Sequence, residues 1–144
     1  MDELRISCER KDMDLETIHG FLSTQAYWSR GIPRDTVARA LDGSLCFGAF
    51  LPAHGQVGFA RVVTDRATFA YLADVFVLPT HRGRGHAKAL VAAVMAHPQL
   101  QGLRRFMLAT SDAHALYAPF GFAPPASPQT LMEISRPNSY THAD

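Results

Sequence analysis

Cysteine is nearly missing from this 144-residue chain, with Cys8 and Cys46 the only two. Two cysteines cannot build a disulfide framework, and these lack the paired spacing of a zinc site. They suit a reducing compartment, where each is expected to act as a small buried hydrophobe. Long apolar runs are missing too: the longest, Ala89 to Ala96, is far short of the ~20 residues that span a bilayer. Met1 to Asp12 is studded with charge, which predicts that it is not a signal peptide. Nor is there an excess of either sign, since Lys+Arg 14 against Asp+Glu 13 leaves a formal charge of +1. That balance gives no support to a global affinity for nucleic acid or for an anionic membrane. No repeat and no low-complexity tract occurs. What remains is a chain with 47% hydrophobic and 19% charged residues, enough to bury a core and too short for two domains. The expectation is one cytoplasmic globular domain over residues 1–144.

The order of elements follows from changes in hydrophobic period. Leu4 to Cys8 alternates apolar and polar as a short strand does. Asp12, Asp14 and Glu16 then place negative charge at a helix start, and Leu15, Ile18, Leu22 and Ala26 continue at helical spacing. Pro33 suits the first turn of a second helix, which Gly43 ends. Leu45–Leu51 and Val57–Val63 read as strands of a hairpin across Pro52-Ala53-His54-Gly55, and Phe69–Leu78 as a third strand closed by Pro79. Ala87, Leu90, Val91, Val94 and Met95 form the stripe of an amphipathic helix that Pro98 ends. Phe106–Ala109 predicts another strand, and Ala113, Leu116, Tyr117 and Phe120 a short helix. Leu131–Ser135 predicts a last strand, with a frayed polar end from Asn138. The order βααβββαβαβ describes an α+β, or mixed α/β, sheet.

Acidic residues are missing from one long stretch. No Asp or Glu occurs from Val75 to Ser111, whereas Arg82, Arg84, Lys88, Arg104 and Arg105 all do. At its centre His81-Arg82-Gly83-Arg84-Gly85-His86-Ala87 joins a predicted strand to a predicted helix. Glycines let backbone N–H groups approach a ligand, and a helix N-terminus carries unpaired N–H groups and partial positive charge. Arginines add charge-assisted bonds suited to phosphate oxygens. The segment therefore asks for an anion such as a phosphate or pyrophosphate, the plain alternative being a Gly-rich turn with solvated arginines. A dinucleotide fingerprint fails, because Lys88 stands where a small residue is required and no acid follows about 20 residues on. A P-loop fails for want of Gly-Lys-Ser/Thr. Nucleic-acid binding through the Arg-Gly string lacks interleaved aromatics.

Val77-Leu78-Pro79-Thr80-His81-Arg82-Gly83-Arg84-Gly85-His86-Ala87 resembles the acetyl-CoA motif of the GNAT superfamily of N-acetyltransferases. The family pattern Gln/Arg-x-x-Gly-x-Gly/Ala is met by Arg82, Gly85 and Ala87. Leu116-Tyr117-Ala118-Pro119-Phe120-Gly121-Phe122 is similar to the family's Leu-Tyr-x-x-x-Gly-Phe, at the family's distance beyond the loop. The element order agrees across nearly the whole chain. The resemblance implies a mostly antiparallel twisted sheet flanked by helices, and transfer of an acetyl group from acetyl-CoA to a primary amine of a small molecule or protein. The alternative is a non-catalytic domain of the same fold that senses acyl-CoA.

The resemblance also implies roles. Backbone amides of Arg82, Gly83, Arg84, Gly85, His86 and Ala87 would hold the pyrophosphate, and the strand residues Phe76 and Val77 would pair with the pantetheine arm. Lys88 or Arg84 would meet the 3′-phosphate or simply face solvent. Tyr117 falls where many members carry the general acid for the departing thiolate, although its helical spacing alone favours a core tyrosine. Asp74, the lone acid of the strand entering the loop, is read as general base, as a binder of a cationic acceptor, or as part of a structural network. Tyr71 and a water chain are rival bases. Thr110 departs from the family, which often has asparagine there, and His114 is a ligand contact or a surface histidine. Tyr27-Trp28-Ser29-Arg30-Gly31-Ile32 would line an acceptor pocket or pack a helix corner. Neither His81, His86 nor His97 has metal-ligand spacing to acids or cysteines, so no metal is expected. The partners implied are acetyl-CoA and an amine, with no nucleic acid and no membrane, for a monomer or homodimer.

Overall fold

The computed structural model describes residues 3–140, so Met1, Asp2 and the far end of the expected frayed tail lie outside the described residues. One sheet of five strands runs in the order β1 (Arg5–Ser7), β2 (Leu45–Leu51), β3 (Gly55–Thr64), β4 (Phe69–Val77), β5 (Arg105–Leu108). The first four are antiparallel neighbours and β5 joins β4 in parallel. Helices α1 (Leu15–Thr24) and α2 (Arg34–Asp42) fall between β1 and β2, α3 (His86–Ala96) crosses between β4 and β5, and the single turn α4 (His114–Tyr117) follows β5. The α+β class stands. The predicted last strand does not: Leu131–Ser135 is irregular, because alternation alone cannot make a strand without a neighbour to complete its ladder.

Local chemistry sets the helix limits. Asp14 caps α1 by accepting from the Thr17 amide at 3.2 Å, Pro33 precedes α2, and Gly43 ends it. The helices divide over the two faces of the sheet. Leu90, Val91 and Val94 of α3 pack on Phe47, Val57, Ala60 and Leu72. Ile18, Phe21 and Leu22 of α1, with Val37 and Leu41 of α2, cover Cys46, Phe59 and Phe76 on the other face. Phe21 stacks on Phe76 with ring centroids 4.1 Å apart. Cys46 meets its expectation as a buried hydrophobe, and burial pushes its thiol up to about 11. Cys8 does not, being exposed just past the three-residue edge strand.

β4 changes faces midway. Phe59 pairs with Phe76 and Arg61 with Ala73, so β3 advances two residues while β4 advances three. The extra residue is a β-bulge at Asp74–Val75, and Asp74 adopts a left-handed backbone with φ 57. Alternation reverses across it: Ala70 and Leu72 face α3, whereas Phe76 faces α1. An Asp is among the few non-glycine residues that tolerate this conformation.

Candidate active site

The bulge and the short β5 together open the sheet. β5 accompanies β4 only from Phe69 to Leu72. From Ala73 onward no strand among the described residues lies on the β5 side of β4, and a cleft of about 580 Å³ lies there, between Tyr71–Val75 and Leu108–Ala113. The Leu78 amide donates to Val57 O towards β3 at 2.8 Å. By the alternation of an antiparallel ladder, Phe76 also turns its polar backbone groups to β3, and Val77 turns its own away. Of the two residues expected to pair with a pantetheine arm, Val77 therefore presents its backbone to the open side. Its carbonyl accepts from Arg82 Nε at 2.9 Å, a bond that ties the loop back to the strand.

The loop that follows has the form of an anion cradle. Gly83 and Gly85 both take left-handed backbones, φ 79 and φ 81, and a Cβ built at either meets no atom within 4 Å. Gly85 is the N-cap of α3, with no side chain capping the helix and no acid in its first turn. The amides of that turn have no intrahelical partner and carry the positive end of the helix dipole. His86 is buried, and its Nε2 has no hydrogen-bond partner among the described residues. Backbone amides, open space and the positive end of a helix with no acid in its first turn suit a pyrophosphate.

Tyr117 is buried at the floor of the cleft, 8% exposed. Burial, with smaller contributions from Asp112 and Tyr27, pushes its phenol above the ordinary value. Among the described residues its hydroxyl makes no hydrogen bond, and its ring meets Phe122 edge-on at 6.1 Å. The phenol is therefore held protonated with its proton uncommitted. Tyr71 lines the same cleft. Thr110 caps the turn into α4 by accepting from the Ala113 amide at 3.0 Å, and His114 opens that helix.

Asp74 is not the isolated acid that its sequence neighbours suggest. Arg61 Nε donates to its Oδ2 at 2.8 Å, and Trp28 Nε1 donates to its Oδ1 at 2.8 Å. The Arg61 and Asp74 side chains are only 18% and 12% exposed. Trp28 stands edge-on to Tyr27 at 5.1 Å, and the Tyr27 hydroxyl shares a 2.6 Å hydrogen bond with Ser111. The α1–α2 loop thus reaches both walls of the cleft, Trp28 holding β4 and Tyr27 the segment after β5. Sequence reasoning found Tyr27, Trp28 and Asp74 and missed Arg61 and Ser111. Arg61 had a signal, as the one charge of β3 opposite the one charge of β4; Ser111 had none. Among the described residues no group of three His, Cys, Asp or Glu is placed to hold a metal ion, and no helix is long and apolar enough to cross a membrane.

Comparison with known proteins agrees with this geometry. The model of the acetyltransferase (GNAT) family matches residues 15–122. A Gibberella zeae protein named as an acetyltransferase is 32% identical, over 78% of this chain and 74% of its own. A crystal structure from Xanthomonas campestris, described as an acetyltransferase of the GNAT family, is 57% identical with a TM-score of 0.95, covering 99% of each chain. A Clostridium acetobutylicum acetyltransferase solved with acetyl-CoA shares the fold at 15% identity and a TM-score of 0.67, over 94% of this chain and 96% of its own. With both motifs on the loop and the cleft, and three quarters of its length matched by the family model, this chain belongs to the GNAT acetyltransferase family.

Proposed function

We propose that this protein transfers the acetyl group of acetyl-CoA to a primary amine in a ternary complex within the β4–β5 cleft. The single observation that carries the reading is Tyr117, a buried phenol with an uncommitted proton, on the floor of the cleft that opens at the bulge. The amides of 82–87 hold the pyrophosphate, and Val77 offers its backbone N–H to the pantetheine arm. The amine nitrogen forms a bond to the thioester carbonyl carbon, the carbon–sulfur bond breaks, and Tyr117 gives its proton to the departing thiolate. With thiol and phenol near ~8.5 and ~10 in water, that transfer runs uphill by only about 1.5 pKa units, roughly 2 kcal/mol, a difference small enough for a general acid held on the sulfur. The amine's proton leaves through Tyr71 or through water, and solvent returns a proton to Tyr117.

Asp74, with both carboxylate oxygens engaged by the protein, serves in this reading as a positioning residue: it fixes Trp28 and the bulge, and so the acceptor wall. Asn tolerates the same backbone, so Asp74→Asn tests charge and hydrogen bonding with little strain. Stability is expected to fall by about 1–3 kcal/mol, because Arg61 loses its counter-ion in a half-buried site. The KM for the amine should rise roughly tenfold, acetyl-CoA affinity should hold within a few-fold, and the acid limb of the pH–rate profile should stay in place. Loss of that limb would make Asp74 the general base instead.

The reading as a whole is tested by mixing the protein with acetyl-CoA and a panel of primary amines and following free thiol. Amine-dependent release above the rate with water alone is expected. Tight acetyl-CoA binding without release for any amine would leave the acyl-CoA sensor.

A further inference from the structure

On the transfer reading above, the walls of the β4–β5 cleft also select among amines. Among the described residues its charged lining is two carboxylates, Asp74 and Asp112, against one guanidinium, Arg61. Arg61 is committed, donating to Asp74 and, at 3.1 Å, to Ser44 Oγ. That pair cancels, and the charge left over is Asp112. Its amide donates to Thr110 Oγ1 at 3.4 Å, whereas its carboxylate accepts no hydrogen bond and meets no basic group among the described residues. The same carboxylate lies near enough to the reacting end of the cleft to help raise the Tyr117 phenol, as does Tyr27. The aromatic wall points to the same chemistry. Tyr27 and Trp28 are 59% and 42% exposed, a large apolar surface to leave in water beside a cleft. Their polar ends are already engaged, on Ser111 and Asp74, so what they offer a ligand is ring surface. Rings held still beside a spare carboxylate suit a cation, which gains from the ring quadrupole and from the charge at once. A carboxylate or phosphate on the acceptor would find no spare cation in this lining.

We propose that the acceptor is a small amine carrying a second positive charge, in the simplest case a diamine, whose second ammonium is held by Asp112 against the rings of Tyr27 and Trp28. The nitrogen that attacks must be uncharged, so only the second cation can stay on Asp112 throughout the reaction. The free-base nitrogen bonds to the thioester carbonyl carbon, the carbon–sulfur bond breaks, and Tyr117 protonates the thiolate. The far ammonium keeps its protons. The product is a mono-acetylated diamine with a single charge, which lacks the second cation and is therefore a poor acceptor in its turn.

Thiol release from acetyl-CoA tests the proposal, with diaminobutane (an amine at each end) and butylamine as acceptors, in wild type and in Asp112→Asn. A second ammonium also eases loss of the first proton. The quantity read is therefore the diamine-to-monoamine ratio of kcat/KM in wild type over that in the variant, in which this effect and any effect of Asp112 on Tyr117 cancel. A value of roughly tenfold is expected, carried by the KM of the diamine. It should shrink as salt rises from about 0.1 M to about 1 M and the Debye length falls from about 10 Å to about 3 Å. Mass spectrometry should find the mono-acetylated diamine accumulating. Equal losses for both amines, or none for either, overturn the proposal, as does a best acceptor of the amine panel that carries no second positive charge. Failure of the transfer reading looks different: acetyl-CoA binds, yet no amine of either kind releases thiol, and both fall together.

Discussion

Tyr117→Phe is expected to lower turnover roughly 10²-fold or more, the scale of one general acid, while acetyl-CoA affinity barely moves. The substitution removes one hydroxyl and almost no volume. Because that hydroxyl makes no hydrogen bond among the described residues, no buried partner is stranded, and stability should change by no more than about 1 kcal/mol. The loss belongs to the transition state, since the phenol's proton matters only as the carbon–sulfur bond breaks. A tyrosine that merely packs against Phe122 predicts normal turnover with the same small change in stability, since the phenylalanine keeps the ring. The pH dependence points the same way. With its phenol raised by burial, Tyr117 keeps its proton to above the ordinary tyrosine range, so the wild-type rate should not fall through loss of this acid below pH ~10. The sign for stability follows: between the unfolded and the folded pKa only the folded state holds the proton, so stability declines as pH rises past ~10.

Gly85→Val is expected to weaken acetyl-CoA binding by about 100-fold or more, read by calorimetry on folded protein. Two effects act together. Gly85 sits at φ 81, where a β-branched residue is strained by about 1–3 kcal/mol, so the loop shifts to relieve it. The new side chain also occupies space in which no protein atom lies within 4 Å of the Cβ, the space that the pyrophosphate needs. Melting temperature separates the two, because backbone strain lowers it whereas a blocked site does not. Unchanged affinity would place the phosphates elsewhere.

The parts of this site that were legible in the sequence are those written in consecutive residues. The glycines and arginines of 82–87, the acid-free stretch around them and the stripe of α3 are local, and the structure has Gly85 as the left-handed N-cap of α3 with Leu90, Val91 and Val94 buried behind it. The bulge was not legible. Tyr71 to Val77 reads as an unbroken strand, and only its register against β3 reveals the extra residue. Asp74 looked unpaired for the same reason, since Arg61 and Trp28 stand 13 and 46 residues away and reach it only through folding. Leu131–Ser135 failed in the opposite sense. Its alternation is real, but a strand also needs a ladder, and among the described residues no strand pairs with this segment.

The measurement closest to the central claim is a crystal structure of the protein with CoA. The predicted result has the pyrophosphate on the backbone amides of 83–87, the pantetheine arm beside Val77, and the sulfur at about 3–3.5 Å from the Tyr117 hydroxyl. A nucleotide bound away from the Gly83–Gly85 loop, or a sulfur beyond reach of Tyr117 with the bulge at Asp74 intact, would contradict it.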